Sequence, residues 1–275
     1  MKGCKSKVLS KTMHKFEGDW PIVTSVKNYE PNFIFLLTPP NSGSTAIAQV
    51  FNRSSNVAQI EKKAEAQRLI KGLYKSDRWS KEKFVDEHSI RSVWVNECFK
   101  NYKSKGAKYF IEKSPPNMMR IELLQSIFPS HILLANNRDP YANVSSMFYR
   151  YNDNIDKLSV EERKSKITGL VKTWIKRSTV LKEIIQSQNV PYLSYEKFCE
   201  NPTLLQDSID SSVFGGQIKL DFKKNLIVKD YKPHPLANFN QKQMDKLTDA
   251  DIDTITSSLR VNEELLSYFG YCLVQ

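Results

Sequence analysis

Four short runs rich in Ile, Leu, Phe, Tyr and Val constrain this chain more than any other feature: "FIFLL" (33–37), "KYFIE" (108–112), "HILLAN" (131–136) and "VPYLSY" (190–195). None alternates apolar with polar residues, so each reads as a strand covered on both faces. Helical periods lie between and after them. "SVEERKSKITGLVKTWIKRSTVLKEIIQ" opens with Ser159 and Glu162 spaced as a capping box, then sets Ile167, Leu170, Val171, Trp174, Leu181 and Ile185 on one stripe. "LTDADIDTITSSLRVNEELLSYFG" has Thr248 as its N-cap, Ile252, Ile255, Leu259 and Phe269 as its stripe, and Gly270 as its stop. Strands alternating with helices imply an α/β fold whose central sheet is mostly parallel and flanked by helices, a three-layer architecture. With 275 residues, 40% of them hydrophobic, the chain has enough apolar material for such a core.

In an open parallel sheet, ligands collect beyond the carboxyl ends of the strands. Turn-rich polar stretches follow three of the runs, as "TPPNSGST", "KSPPN" and "NRDP". In the first, Asn41, Ser42, Gly43, Ser44 and Thr45 place small residues ahead of the helix "TAIAQVF", where first-turn N–H groups lack partners and carry the positive end of the helix dipole. An anion is stabilised there, although an ordinary Ser/Thr N-cap reads the same way. The loop lacks the lysine of G-x-x-x-x-G-K-[ST], which serves a triphosphate and its Mg²⁺. In the third stretch, Arg138 follows a strand and Ser146 lies eight residues on, about two helical turns away. An arginine can fork onto a phosphate with a serine hydroxyl completing the shell, while Arg138-Asp139 also reads as a local salt bridge or cap.

Charge and composition exclude some classes. The formal net charge of +11 suits an anionic ligand, but the Lys and Arg residues are dispersed, with no zinc-finger spacing and no RNP-type aromatics, so no nucleic-acid partner is expected. Four scattered cysteines and four scattered histidines form no ligand cluster, and no metal site is expected. No run reaches the 18 apolar residues of a membrane span, and the expected location is the cytoplasm. Residues 1–30 read as a loosely ordered basic arm, 31–275 as a single domain, and 61–107 as a helical cover over the site.

The order "TPPNSGSTA", "IEKSPPNMMRIELLQSIFPSHILLANNRDPYANVSS", "YLSYEKFCENP" and "LTDADIDTITSSLRVNEELLSYFGY" resembles the sulfotransferases that use 3'-phosphoadenosine 5'-phosphosulfate, nearest to the bacterial and Golgi-type branch that includes the tyrosylprotein sulfotransferases. The resemblance implies a P-loop-like fold in which residues 41–45 hold the 5'-phosphosulfate, Arg138 and Ser146 hold the 3'-phosphate, and Tyr195 lies against the adenine. It also implies that Lys113 sits near the transferring sulfuryl group, that a loop over 228–240 closes on the cofactor with Lys229 and Lys232 as further ligands, and that no metal takes part. Glu61, with Glu65 one turn on, lies at the family's spacing for a general base, and Glu112 beside Lys113 is an alternative base; a surface Glu and a structural Glu–Lys pair are the competing readings. The chain departs from the family at Asn41, where the loop usually carries Arg or Lys. The acceptor is expected to be a hydroxyl, or an amine, on a small molecule, sugar or peptide. Two rivals stand beside this reading. A non-catalytic binder of 3'-phosphoadenosine compounds is suggested by Asn41, and a P-loop kinase is disfavoured by the missing G-K-[ST] and the lack of a strand-borne Asp for Mg²⁺.

Overall fold

The computed structural model describes residues 25–227 and 232–274. Its centre is a sheet of four strands in the order β2-β3-β1-β4, every pair parallel, with β1 at Asn32–Leu37, β2 at Val57–Gln59, β3 at Tyr109–Glu112 and β4 at His131–Ala135. Side chains of a strand alternate between faces, and here both faces are buried. Phe33, Phe35, Leu37 and Phe110 enter one core with the helices α2 (Glu87–Lys105), α3 (Ile121–Ile127), α4 (Pro140–Tyr151), α5 (Val160–Gln188), α9 (Asp249–Leu259) and α10 (Glu263–Phe269). Ile34, Leu36, Tyr109 and Ile111 enter the other, with α1 (Ser44–Asn52), α6 (Tyr195–Glu200) and α7 (Thr203–Asp210). This is the three-layer α/β arrangement that unalternating apolar runs require. A short helix, α8 (Asn240–Met244), packs beside α4.

Three of the four expected strands form. The fourth differs: "VPYLSY" makes a single parallel bridge, Ala135 to Tyr192, through hydrogen bonds from the Ala135 N–H to the Pro191 carbonyl (2.8 Å) and from the Leu193 N–H to the Ala135 carbonyl (3.0 Å). Pro191 has no N–H to donate, and Ser194 already caps α6 at the Lys197 N–H, so the ladder has no room to lengthen. The edge strand β2 went unread because three residues carry no period. The last expected helix is two: a 3₁₀ turn at Arg260–Asn262 separates α9 from α10, and Leu265, Leu266 and Phe269 of α10 are buried in the core. Gly270 ends α10 in the left-handed region, at φ +78°. Among the described residues, no helix is long and apolar enough to cross a membrane.

The parallel register fixes where the site must lie. Phe35 pairs with Glu112, and Leu37 with Ala135, so the three turn-rich stretches leave the sheet side by side at one end. Across the helices, α5 and α9 are joined by an ion pair. Arg163 forks onto the Asp251 carboxylate (2.7 and 2.6 Å), which also caps α9 by accepting from the Thr248 N–H at 2.8 Å. Burial alone would raise the Asp251 carboxyl, but the Arg163 and Thr248 donors outweigh it and hold it below the usual aspartate range. A lowered folded pKa means that the stabilisation is fully present at neutral pH and fades as pH falls through the acid range. Asp251→Asn is therefore expected to lower stability by about 1.5–3 kcal/mol at pH 7 and by less in acid, read from urea unfolding at both pH values.

Candidate active site

The loop after β1 turns sharply because two of its residues adopt left-handed backbone. Asn41 has φ +63°, and Gly43, the N-cap of α1, has φ +84°. Asn is among the few side chains that tolerate this region, which gives a conformational reason for the residue found where a cation was expected. Buried Ser42 accepts from Asn143 Nδ2 (3.1 Å), and the same amide donates to the Pro40 carbonyl (2.9 Å), so α4 clamps the loop. The N–H groups of Gly43, Ser44 and Thr45 meet no acceptor among the described residues. Three converging donors at a helix N-terminus make an anion cradle.

Arg138 closes the other side. It is 6% exposed, and its Nε donates to Asn240 Oδ1 (2.8 Å) and its Nη1 to the Asn41 carbonyl (3.2 Å). Its guanidinium carbon lies 4.5 Å from the centre of the Tyr195 ring. Nη2 is buried without a partner among the described residues. A buried cationic donor with no acceptor is costly, and a bound anion is what removes the cost. Arg138 makes no salt bridge to Asp139; the Asp139 carboxylate instead caps α4 at the Ala142 N–H (2.9 Å), and burial pushes its pKa up to about 6 against that bond.

Tyr195 fills the gap between Arg138 and the loop. A Cβ on Gly43 would lie 2.2 Å from Tyr195 Cδ2, so the ring rests on the glycine. Its hydroxyl donates to the Ala237 carbonyl and accepts from the Phe239 N–H, both at 3.1 Å, which ties the segment after 232 to the loop. Burial pushes the phenol pKa well up, so it stays a neutral donor. The hydroxyl of Ser146, half-buried on α4, makes no hydrogen bond among the described residues. Its neighbour Ser145 is buried and spent on the Gln243 carbonyl (2.6 Å). Lys232 is exposed, and Lys229 lies outside the described residues.

Lys113 lies beyond β3, 3% exposed, with its ammonium 3.1 Å from Glu65 Oε1. Burial alone would raise the Glu65 carboxyl, but Lys113 and then Arg68 hold it below its ordinary range. Of the three carboxylates proposed from sequence, Glu65 is thus the one beside Lys113. Glu61 is turned into its own loop, where Oε2 accepts from the N–H groups of Lys63 (2.7 Å) and Glu65 (3.2 Å). Glu112 has no exposed surface and accepts from the Ala66 N–H (2.8 Å), the Ser114 N–H (2.9 Å), the Ser114 hydroxyl and Asn117 Nδ2. Burial raises its pKa to about 7, but four donors occupy its oxygens, so it is a strut between 66 and 114–117.

The sequence reading missed Asn143 and Asn240, which hold the loop and Arg138. Asn143 left a signal, since it lies on α4, the helix that follows Arg138, one turn before Ser146. Asn240 ends the stretch 228–240 expected to close on the cofactor, but only the fold brings it, 102 positions away, to Arg138.

A family model described as "Sulfotransferase family" matches residues 31–205, nearly two thirds of the chain. No curated protein matches the sequence. Among solved structures, a sulfotransferase from Alicyclobacillus acidocaldarius is 14% identical with a TM-score of 0.54, over 89% of this chain and 98% of that one. A sulfotransferase from Mycobacterium avium is 12% identical with a TM-score of 0.52, over 90% of this chain and 79% of that one. At such identities the likeness is one of fold.

Gly43→Ala is expected to cost about 1–3 kcal/mol in thermal unfolding, because it adds left-handed strain and drives a methyl into the Tyr195 ring. In a double-mutant cycle, Tyr195→Ala should relieve the steric part; full additivity would mean the two residues do not press on each other.

Proposed function

The chain belongs to the sulfotransferase family, and on that premise we propose that it moves a sulfuryl group from 3'-phosphoadenosine 5'-phosphosulfate to a hydroxyl or amine of an acceptor, in line and without a metal ion. The observation that carries this reading is the buried, unpartnered Nη2 of Arg138, set across the Tyr195 ring from a loop with three unused N–H groups. Two anion sites separated by a flat aromatic ring suit a nucleotide with phosphates at both ends.

The residues then divide the work. The N–H groups of Gly43, Ser44 and Thr45, with Asn41 and Ser42 shaping the turn, hold the 5' end. Arg138 holds the 3'-phosphate, with Ser146 as a neutral donor two turns along. The donor supplies an activated sulfur whose bond to the phosphate oxygen breaks as the bond to the acceptor oxygen or nitrogen forms. Lys113 stabilises charge gathering on the leaving phosphate, replacing the cation absent at Asn41. Glu65 orients Lys113 and is the carboxylate placed to take the acceptor's proton. The late segment 232–240, held at Tyr195, flanks the nucleotide, with Lys232 at its outer edge, and the stretch 61–79 covers the end of β3. The neutral Asn41 favours a second reading, a protein that binds 3'-phosphoadenosine compounds without turnover; sulfate transfer to any acceptor eliminates it.

In EDTA, 3'-phosphoadenosine 5'-phosphate at about 100 times its dissociation constant should add about 2.7 kcal/mol to stability in thermal unfolding. A larger shift with ATP and Mg²⁺ would refute the assignment. Lys113→Ala should lower sulfate transfer, followed by mass spectrometry of an acceptor mixture, by about 10²–10³-fold while nucleotide affinity holds. Unchanged turnover would place the cation elsewhere.

A further inference from the structure

Beside the nucleotide cradle, a second set of cations surrounds the mouth of the same crevice. α5 touches the end of β4 twice: Trp174 Nε1 donates to the Arg138 carbonyl (3.1 Å), and Ser178 accepts from Asn137 Nδ2 (2.9 Å). Arg177, three residues after Trp174 and one before Ser178, is half-buried on the same helix. Its guanidinium stacks on Trp79, 4.1 Å from the ring centre. It makes no hydrogen bond and no ion pair among the described residues. Tyr151 and Arg78 both lie close enough to act on its charge.

Tyr151 connects this group to the loop, because its hydroxyl accepts from Asn41 Nδ2 at 3.2 Å. On the other flank Arg78 lies over the Tyr74 ring (4.3 Å), and Arg68 lies over the same ring (4.2 Å) and pairs with Glu65, the partner of Lys113. Contacts thus link Asn41 to Tyr151, Arg177 to Trp79, and Arg78 through Tyr74, Arg68 and Glu65 to Lys113. The fold holds this rim in place: the Arg78 carbonyl accepts from buried Arg120 (2.8 Å). Glu65 is shared by Lys113 and Arg68, and Asp77 is paired with Lys83, so neither carboxylate forms an ion pair with Arg78 or Arg177 among the described residues. Burial pushes the Arg177 guanidinium down to about 10, with Tyr151 opposing and Arg78 adding to the fall, as for a cation that lacks its counter-ion.

We propose that Arg177, with Arg78, receives an oxyanion group carried by the acceptor, so that the preferred acceptors are hydroxyl compounds bearing a carboxylate, sulfate or phosphate and a flat or ring-shaped body that lies against Trp79. The proposal rests on the sulfotransferase reading for its word "acceptor", but the anion site itself stands on geometry independent of the nucleotide. A planar guanidinium forks onto an oxyanion, and aromatic faces hold both the arginine and the ligand ring. It also gives Asn41 a context: a cation on the loop would add to a rim already rich in uncompensated positive charge.

The test is calorimetric binding of 4-hydroxyphenylacetate, its neutral amide and inorganic sulfate to the full chain, each with and without saturating 3'-phosphoadenosine 5'-phosphate. The carboxylate should bind about tenfold or more tightly than the amide. Arg177→Gln and, independently, Arg78→Gln should remove that preference while nucleotide affinity is unchanged, and Arg177→Lys should restore part of it. Equal binding of carboxylate and amide, no binding of the carboxylate by the unsubstituted chain, or an undiminished preference in both Gln variants overturns the proposal. Sulfate binding as tight as the carboxylate's would mean a site for a free anion and would overturn the acceptor assignment. Failure of the nucleotide to bind, with the anion preference intact, would count against the sulfotransferase reading and leave the anion site standing.

Discussion

The contact on which the site depends is the stack of Gly43, Tyr195 and Arg138. These residues come from three turns that share only the end of the sheet, and each needs the other two. Gly43 must lack a side chain because the Tyr195 ring occupies the place of its Cβ. Tyr195 is positioned by its N–H bond to the Asn137 carbonyl (2.9 Å) and spreads its ring beneath Arg138. Arg138 in turn bonds the Asn41 carbonyl and sets the curvature of the loop. A parallel sheet supplies the precondition, since only parallel neighbours deliver three carboxyl ends to one edge.

Charge is distributed around this stack in an unusual way. The loop has none, and its donors are backbone N–H groups oriented by two left-handed residues. The cations lie one layer out, on the ends of β3 and β4, on α5 and in the stretch 66–79. Partial charges on a rigid backbone need no reorganisation when an anion arrives, and cations at the rim can be shared with a second anionic ligand. On the proposed reading, this arrangement lets the loop hold an anion without the lysine of a nucleotide triphosphatase.

Sequence disclosed the parts whose signal is local. Unalternating runs marked β1, β3 and β4; Ser159 with Glu162 formed a capping box and Thr248 an N-cap where the sequence placed them; and the turn-rich stretches fell at strand ends. What stayed hidden depends on distant pairing. "VPYLSY" has a strand's composition but is shortened by Pro191 and by the helix that starts at Tyr195. Glu112 and Glu65 are one charge and one spacing in the sequence, yet one is enclosed by donors and the other pairs with Lys113, because residues 61–66 fold back onto the end of β3. Tyr195 was read as facing a base, and its packing on Gly43 could come only from three dimensions. The contact between Asn240 and Arg138 had no local trace at all.

The central claim is that Arg138 recognises a 3'-phosphate while the loop holds the 5' end. The most direct measurement is the ratio of dissociation constants for adenosine 5'-phosphate and 3'-phosphoadenosine 5'-phosphate, titrated in EDTA with the unsubstituted protein and with Arg138→Gln. The account predicts a preference of about 10- to 100-fold for the bisphosphate, corresponding to one charged hydrogen-bonded contact, and its collapse towards unity in the variant with adenosine 5'-phosphate binding little changed. Equal affinity for the two nucleotides in the unsubstituted protein, or a preference that survives the loss of the guanidinium, would contradict it.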